Sequence, residues 1–233
     1  MHHPNAAELQ AGREDLVRHG VRLLDDGLAI GTAGNLSLRL GDTVLITPSG
    51  AGYRDLTPAD ICPVTVTPAG STLDVAHAPP EASSELPLHL AVYAATAATN
   101  PTNSTNATAI VHTHSPEVVA LSAVRDDLPA IHYAITALGG PVRVAGYQRF
   151  GSQDLAQAAV AALDGRRAVI LRNHGAVSYG TSLAQAYDRA LTLEWLAHVY
   201  RMACTLGDPH TLTAGELAEV SAEMHRRRYG EPR

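Results

Sequence analysis

The chain has 233 residues, of which 45% are hydrophobic and 17% charged, and it carries a formal net charge of -6. That hydrophobic share is enough for a sizeable core without disulfide or metal support, and it excludes a disordered tail protein. Mild acidity disfavours general affinity for nucleic acid or an anionic membrane, so an anionic ligand has to be held by local groups.

No stretch reaches the roughly 18 apolar residues of a membrane span. Residues 1–4 run directly into polar sequence with no basic flank and apolar core, so no secretory signal is readable. Cys62 and Cys204 are too far apart to form a paired-cysteine motif and fit free thiols in a reducing compartment, so the expected location is cytoplasmic.

In chain order, Leu9, Leu16, Val17, Leu23, Leu24 and Leu28 recur at helical spacing and predict an amphipathic helix over 7–29 that ends near Gly27. Leu36, Leu38 and Leu40 alternate with Ser37 and Arg39, Gly41-Asp42 turns the chain, and 44–47 completes a predicted hairpin. A tight loop at 48–50, a helical turn over 56–60, a strand around 64–66 and a turn at 68–70 follow. The next helix is expected over 82–98, opening at Ser83 or Ser84, with Glu85 in its first turn where the helix dipole favours negative charge. The polar run 99–108 reads as a surface loop, and its two Asn-x-Thr-type sequons carry no meaning without a secretory signal.

Beyond it the pattern predicts a strand over 109–114, a helix over 116–124, an extended segment over 131–137, a loop at 139–141 and a helix over 154–163. A fully apolar strand at 168–171 ends at Asn173-His174-Gly175, and helices over 183–206 and 216–228 close the chain, with Tyr229 in the tail. Nothing in the composition divides the chain, so 1–233 is expected to be a single domain with helices covering a central sheet.

The twelve histidines divide sharply. His112 and His114 are two apart on a predicted strand, so their imidazoles share a face, which suits a chelating pair and equally suits a polar strand face. His174 emerges at the end of an apolar strand, where loops build sites. Together the three offer neutral imidazoles that suit zinc with one position left open. His89 lies one turn after Glu85, where a supporting role is open, and the remaining histidines have solvated or core explanations.

Three short segments suit an oxyanion: 31–35 with Gly34 and Asn35, 47–50 with Ser49 and Gly50, and the pair Ser83 and Ser84. Glycine lets main-chain N–H groups approach a phosphate, and small hydroxyls add donors. The spacing is that of neither a Walker loop nor a dinucleotide fingerprint.

The segments GTAGNLSLR at 31–39, LITPSG at 45–50, Ser83-Ser84-Glu85, IVHTHSP at 110–116, LPAIHY at 128–133 and LRNHGAV at 171–177 resemble the class II aldolase family in order and approximate spacing. The resemblance spans nearly the whole chain. It implies a three-layer α/β/α sandwich with a mainly antiparallel central sheet, and a homotetramer with active sites at subunit interfaces. It further implies one Zn2+ per subunit held by His112, His114 and His174 with Glu85 beside it. Gly34, Asn35, Ser49, Gly50, Ser83 and Ser84 would bind the substrate phosphate, and Tyr133 would reach in from the adjacent subunit, with Tyr229 as a C-terminal catalytic tyrosine. The run 99–108 is longer than the family's usual connection before the histidine strand.

The chemistry implied is retro-aldol cleavage of a ketose 1-phosphate such as L-fuculose 1-phosphate into dihydroxyacetone phosphate and a small aldehyde. Lys is absent from the chain, which excludes a Schiff-base aldolase and leaves charge stabilisation to a metal. Glu85 would carry a proton at the reacting carbon, and Tyr133 would do so at the aldehyde-side oxygen. Within the family the alternatives are a methylthioribulose-1-phosphate dehydratase, which resembles the aldolase at Glu85, and a ribulose-5-phosphate 4-epimerase, whose pattern has Asp there. A non-enzymatic alternative is an adducin-head-like binding module, which needs no such metal group.

Overall fold

The computed structural model describes residues 3–69, 72–99 and 106–227. Gly70 of the expected turn, most of the 99–108 run and Tyr229 lie outside the described residues. The helices are α1 (Ala6–Asp25), α2 (Leu86–Thr99), α3 (Pro116–Val124), α4 (Gln153–Leu163), α5 (Leu183–Leu206) and α6 (Ala214–Arg226). The strands are β1 (Asn35–Leu40), β2 (Thr43–Ile46), β3 (Cys62–Ala69), β4 (Thr72–His77), β5 (Ala109–Thr113), β6 (Asp127–Leu128), β7 (Val142–Ala145), β8 (Ala168–Leu171) and β9 (Gly175–Gly180).

These strands form one mixed sheet in the order β4-β3-β2-β1-β5-β9-β8-β7-β6, antiparallel throughout except for the parallel pair β7 and β8. The sheet has helices on both faces, so the expected α/β/α sandwich with a mostly antiparallel sheet is what the chain forms. Strand alternation assigns the faces. Val44, Ile46, Ile110, Val169 and Leu171 pack with Leu88, Val92 and Tyr93 of α2 and Leu155, Ala159 and Leu163 of α4. Leu45, Ala109 and Val111 turn the other way onto Leu16 and Leu23 of α1 and Leu183, Ala186 and Tyr187 of α5, and Ala168 and Ile170 pack there on Leu193 and Leu196. An apolar strand such as β8 has no polar face because neither of its faces reaches water.

Several expectations are corrected. Helix α1 stops at Asp25, where Asp26 returns its N–H to Arg22. The expected extended segment 131–137 is instead a 3-10 helix, Tyr133–Leu138, because His132 Nδ1 accepts the N–H of Ala134 and caps it. Helix α2 begins at Leu86, so Glu85 precedes the first turn and its carbonyl accepts from Leu88 and His89. The strands β4, β6, β7 and β9 had no counterpart in the sequence reading. Among the described residues no helix is long and apolar enough to cross a membrane.

Candidate metal centre and active site

His112 sits near the end of β5 on the same face as Ile110, the face covered by α2. Its cross-strand partners are Asn35 on β1 and Val177 on β9, and its Nδ1–H donates to the carbonyl of Ala176 at 2.9 Å. That bond leaves Nε2, which faces Glu85 and His114, as the nitrogen that could hold a metal. His114 follows one residue beyond β5, with its N–H bonded to Leu28 O at 2.9 Å. The chain then turns into α3, whose N-terminus is capped by the Glu194 carboxylate of α5 through the Glu117 and Val118 N–H groups at 2.9 and 3.0 Å.

His174 occupies the three-residue connection between β8 and β9. Asn173 there has φ +53°, a left-handed conformation that Asn tolerates, and its N–H donates to Ser122 Oγ at 2.9 Å. Gly175 follows because nothing larger fits: a Cβ would lie 1.9 Å from the carbonyl oxygen of Thr113, the residue between His112 and His114. Gly175→Ala is therefore expected to cost about 1–3 kcal/mol of stability and to weaken metal binding. Thermal unfolding and metal titration check this, and wild-type values in both would contradict it.

The three rings meet edge to face, with centroids 4.8 to 4.9 Å apart. Glu85 completes the group: Oε2 lies 2.9 Å from His112 Nε2 and Oε1 lies 3.4 Å from His174 Nε2. One ligand atom from each of Glu85, His112, His114 and His174 falls within 4.8 Å of all the others. Oε1 of Glu85 is buried and accepts no hydrogen bond among the described residues. An acceptor left without a donor beside three converging imidazole nitrogens fits a divalent cation.

The electrostatics agree. Burial alone would raise the Glu85 pKa, but the charge and hydrogen bond of His112, helped by His174 and Asn35, hold the carboxyl well below its usual range. His114 is pushed down to about 3 by burial and by the charges of His112 and His174. His174 is pushed down to about 4 by burial and His112. Both are neutral near pH 7, the form that a metal ligand requires. Burial opposes protonation of His112 too, yet the Glu85 charge outweighs it and raises this group, an attraction that a bound cation would replace.

One cavity of about 240 Å³ contains the site, and its walls include all six phosphate candidates, Gly34, Asn35, Ser49, Gly50, Ser83 and Ser84, together with Glu85, His114 and His174. Gly34 has φ +77°, and a Cβ there would approach the His112 carbonyl oxygen to 2.7 Å, so this loop lies directly on the histidine strand. Sequence reasoning missed Phe150 as a wall of this cavity. Its place is set by Gly151, at φ +71°, whose missing Cβ lets the loop approach the Ser84 carbonyl, a long-range contact with no local signal. Tyr133 is not brought to this cavity. It lines a separate one against Val220 and Met224 of α6 and is 45% exposed.

His89 is fully buried. Burial pushes its pKa from 6.5 down to about 3, with the charge of His112 adding to the shift and Glu85 opposing it. Between those values the unfolded chain binds the extra proton, so stability falls as pH falls. At pH 5 this group is expected to cost the metal-free protein about 2 kcal/mol relative to pH 7, read as a lower urea midpoint. His89→Gln, which cannot titrate, is expected to lose that part of the acid dependence.

With this sheet and this metal-ligand group in place, the chain belongs to the family described as Class II Aldolase and Adducin N-terminal domain, which matches residues 14–201. Among curated relatives, the 5-deoxy-D-ribulose 1-phosphate aldolase of Bacillus thuringiensis is 34% identical over 218 residues, 93% of this chain and 96% of that protein. The 5-methylthioribulose-1-phosphate/5-deoxyribulose-1-phosphate aldolase of Rhodospirillum rubrum is 35% identical over 215 residues, 90% and 91% of the two chains. Among solved structures, an L-fuculose 1-phosphate aldolase superimposes with a TM-score of 0.79 at 32% identity, covering 93% of this chain and 96% of its own. Family membership and the converged ligand group identify an enzyme, a metal-dependent lyase of the class II aldolase type.

Proposed function

We propose that the protein cleaves a methyl-terminated ketose 1-phosphate, of the 5-deoxyribulose 1-phosphate or L-fuculose 1-phosphate kind, into dihydroxyacetone phosphate and a short aldehyde. The observation that carries this reading is the one cavity whose walls hold six phosphate-type residues together with Glu85, His114 and His174. The relatives' names support it, since each describes an aldolase acting on such a sugar phosphate.

His112, His114 and His174, with Glu85 beside them, hold one divalent cation, and zinc suits three imidazoles with an open position. When bound, that cation supplies Lewis-acid stabilisation of the negative charge developing on the substrate's carbonyl side. Ser49, Gly50, Ser83, Ser84 and Gly34 bind the phosphate, so binding energy at the far end of the substrate orients the carbon-carbon bond to be broken. Glu85 Oε1 faces the reacting carbon and holds or returns its proton. The three histidines and Glu85 converging on one point weigh against an adducin-like binding module, which needs no such group, and the relatives named as aldolases favour cleavage over dehydration or epimerisation.

The working form is a homotetramer in the cytoplasm whose sites lie between subunits, with Tyr133 of a neighbouring chain exchanging a proton with the aldehyde-side oxygen. Its position away from the cavity of its own chain, half exposed, supports this, as do the exposed Tyr147 and Trp195, which offer apolar area to a second copy. The test is a panel of ketose 1- and 5-phosphates offered to the zinc-loaded protein, with products resolved as cleavage, epimerisation or dehydration. Dihydroxyacetone phosphate from a deoxyketose 1-phosphate is expected; dehydration or epimerisation without cleavage would overturn the reading.

A further inference from the structure

A line of buried polar side chains leads away from Glu85 into the core between β1 and α2. Asn35 Nδ2 donates to Glu85 Oε2 at 2.9 Å, and Asn35 Oδ1 lies 2.5 Å from His89 Nε2. His89 Nδ1 lies 2.7 Å from Ser37 Oγ, which is 2.7 Å from the Tyr93 hydroxyl. All are at most 5% exposed. The sequence spacing explains the alignment: Asn35 and Ser37 are two apart on one face of β1, and His89 and Tyr93 are four apart on one face of α2.

Chemistry allows this line only one direction. A carboxylate accepts and cannot donate, so Asn35 turns its NH2 to Glu85 and its carbonyl to His89. His89 Nε2 is then the protonated nitrogen and Nδ1 the acceptor. Ser37 gives its proton to Nδ1, and Tyr93 gives its own to Ser37. Burial keeps His89 neutral, with one donor and one acceptor, which is what its place in the line requires. The two oxygens of Glu85 thereby become unequal: Oε2 is held by Asn35 and lies against His112 Nε2, and Oε1 has no hydrogen bond.

We propose that Asn35 and His89 are positioning residues, and that the one-way line Tyr93, Ser37, His89, Asn35 fixes the rotation of the Glu85 carboxylate, holding Oε2 beside His112 and leaving Oε1, on the His174 side, without a hydrogen-bond partner and open to the metal and the reacting carbon. The proposal rests on the reading of Glu85 as the carboxylate beside the metal. Without the line the carboxylate is free to turn about its terminal torsion and to use either oxygen, so the ion and the proton would be held in poorer geometry.

The test compares His89→Leu, which breaks the line, with His89→Gln, whose amide can donate to Asn35 and accept from Ser37. In zinc-loaded protein His89→Leu is expected to lower kcat by about 10–100-fold and to raise the zinc dissociation constant by about 10-fold or more. KM should change little, and His89→Gln should recover most of kcat. Histidine-selective 15N spectra of the wild-type protein, assigned by the signal missing in His89→Gln, should show the neutral Nε2–H form. Wild-type kcat and zinc affinity in folded His89→Leu, absence of rescue by Gln, or the Nδ1–H form would overturn the proposal. Should His89→Leu not fold, Ser37→Ala removes one hydroxyl with the packing kept; a lowered kcat and weaker zinc binding support the line, and unchanged values overturn it. If the wild-type protein cleaves no ketose phosphate, the functional reading fails, while the tautomer and the zinc constants still decide the positioning role.

Discussion

Glu85→Gln is expected to keep its metal ion and lose cleavage by about 10²–10⁴-fold, the range associated with removing a positioned proton carrier. Three imidazoles are a sufficient ligand set for zinc, so the ion should remain. The amide oxygen can take the place of Oε2 as acceptor for Asn35 Nδ2, which keeps the side chain seated. What the amide cannot do is take up and return a proton at the position of Oε1, the oxygen without a hydrogen-bond partner. Elemental analysis and turnover on the same preparation check both halves. Undiminished turnover would remove Glu85 from the chemistry, and loss of the ion would make it mainly a ligand.

The second large effect is a recovery. Glu85→Gln and Tyr133→Phe are each expected to be nearly inactive alone, but hybrid tetramers assembled from equal amounts of both should regain about a quarter of wild-type activity. The fraction follows from symmetry. If each site takes Glu85 from one chain and Tyr133 from its neighbour, random mixing makes about one site in four intact. If both residues came from the same chain, no site in any hybrid would be intact and mixing would restore nothing. Tyr133, which lines a different cavity from Glu85 within the chain, makes the first outcome the expected one.

How much of this could be read in the sequence depends on the range of the interaction. The strand around His112 was legible because Ala109, Ile110 and Val111 form a short apolar run that follows a polar stretch and ends before Pro116, a local signal, and the fold turns Ile110 toward α2 and Ala109 and Val111 toward α1 and α5. The placement of His174 was legible because an apolar run ends at Asn-His-Gly, a signal for a turn leaving a buried strand. β9 was not legible, since Gly175 and Gly180 bound it and it is nearly buried on both faces, which removes alternation. β4 carried an alternation of Leu73 and Val75 with Asp74 and Ala76, but its exposure as an edge strand makes the pattern weak. The segment after Ile131 has strand-like composition, yet the His132 cap draws it into a 3-10 turn.

Asn35 illustrates the same boundary within the site. Its glycine-rich loop located it at the phosphate-type cavity, which it does line. Its amide, however, is engaged by Glu85 and His89, residues 50 and 54 positions further along the chain, and no local pattern carries that information. For the same reason His89 was visible only as a histidine one turn from Glu85. Its part in fixing that carboxylate depends on β1 and α2 packing face to face.

Zinc titration of the metal-free protein, followed by calorimetry and elemental analysis, tests the central claim most directly. One tightly held ion per chain is expected, lost in His174→Ala, with release of dihydroxyacetone phosphate from a deoxyketose 1-phosphate appearing only as the ion binds. A protein that takes up no zinc, or that cleaves at full rate without any divalent metal, would contradict it.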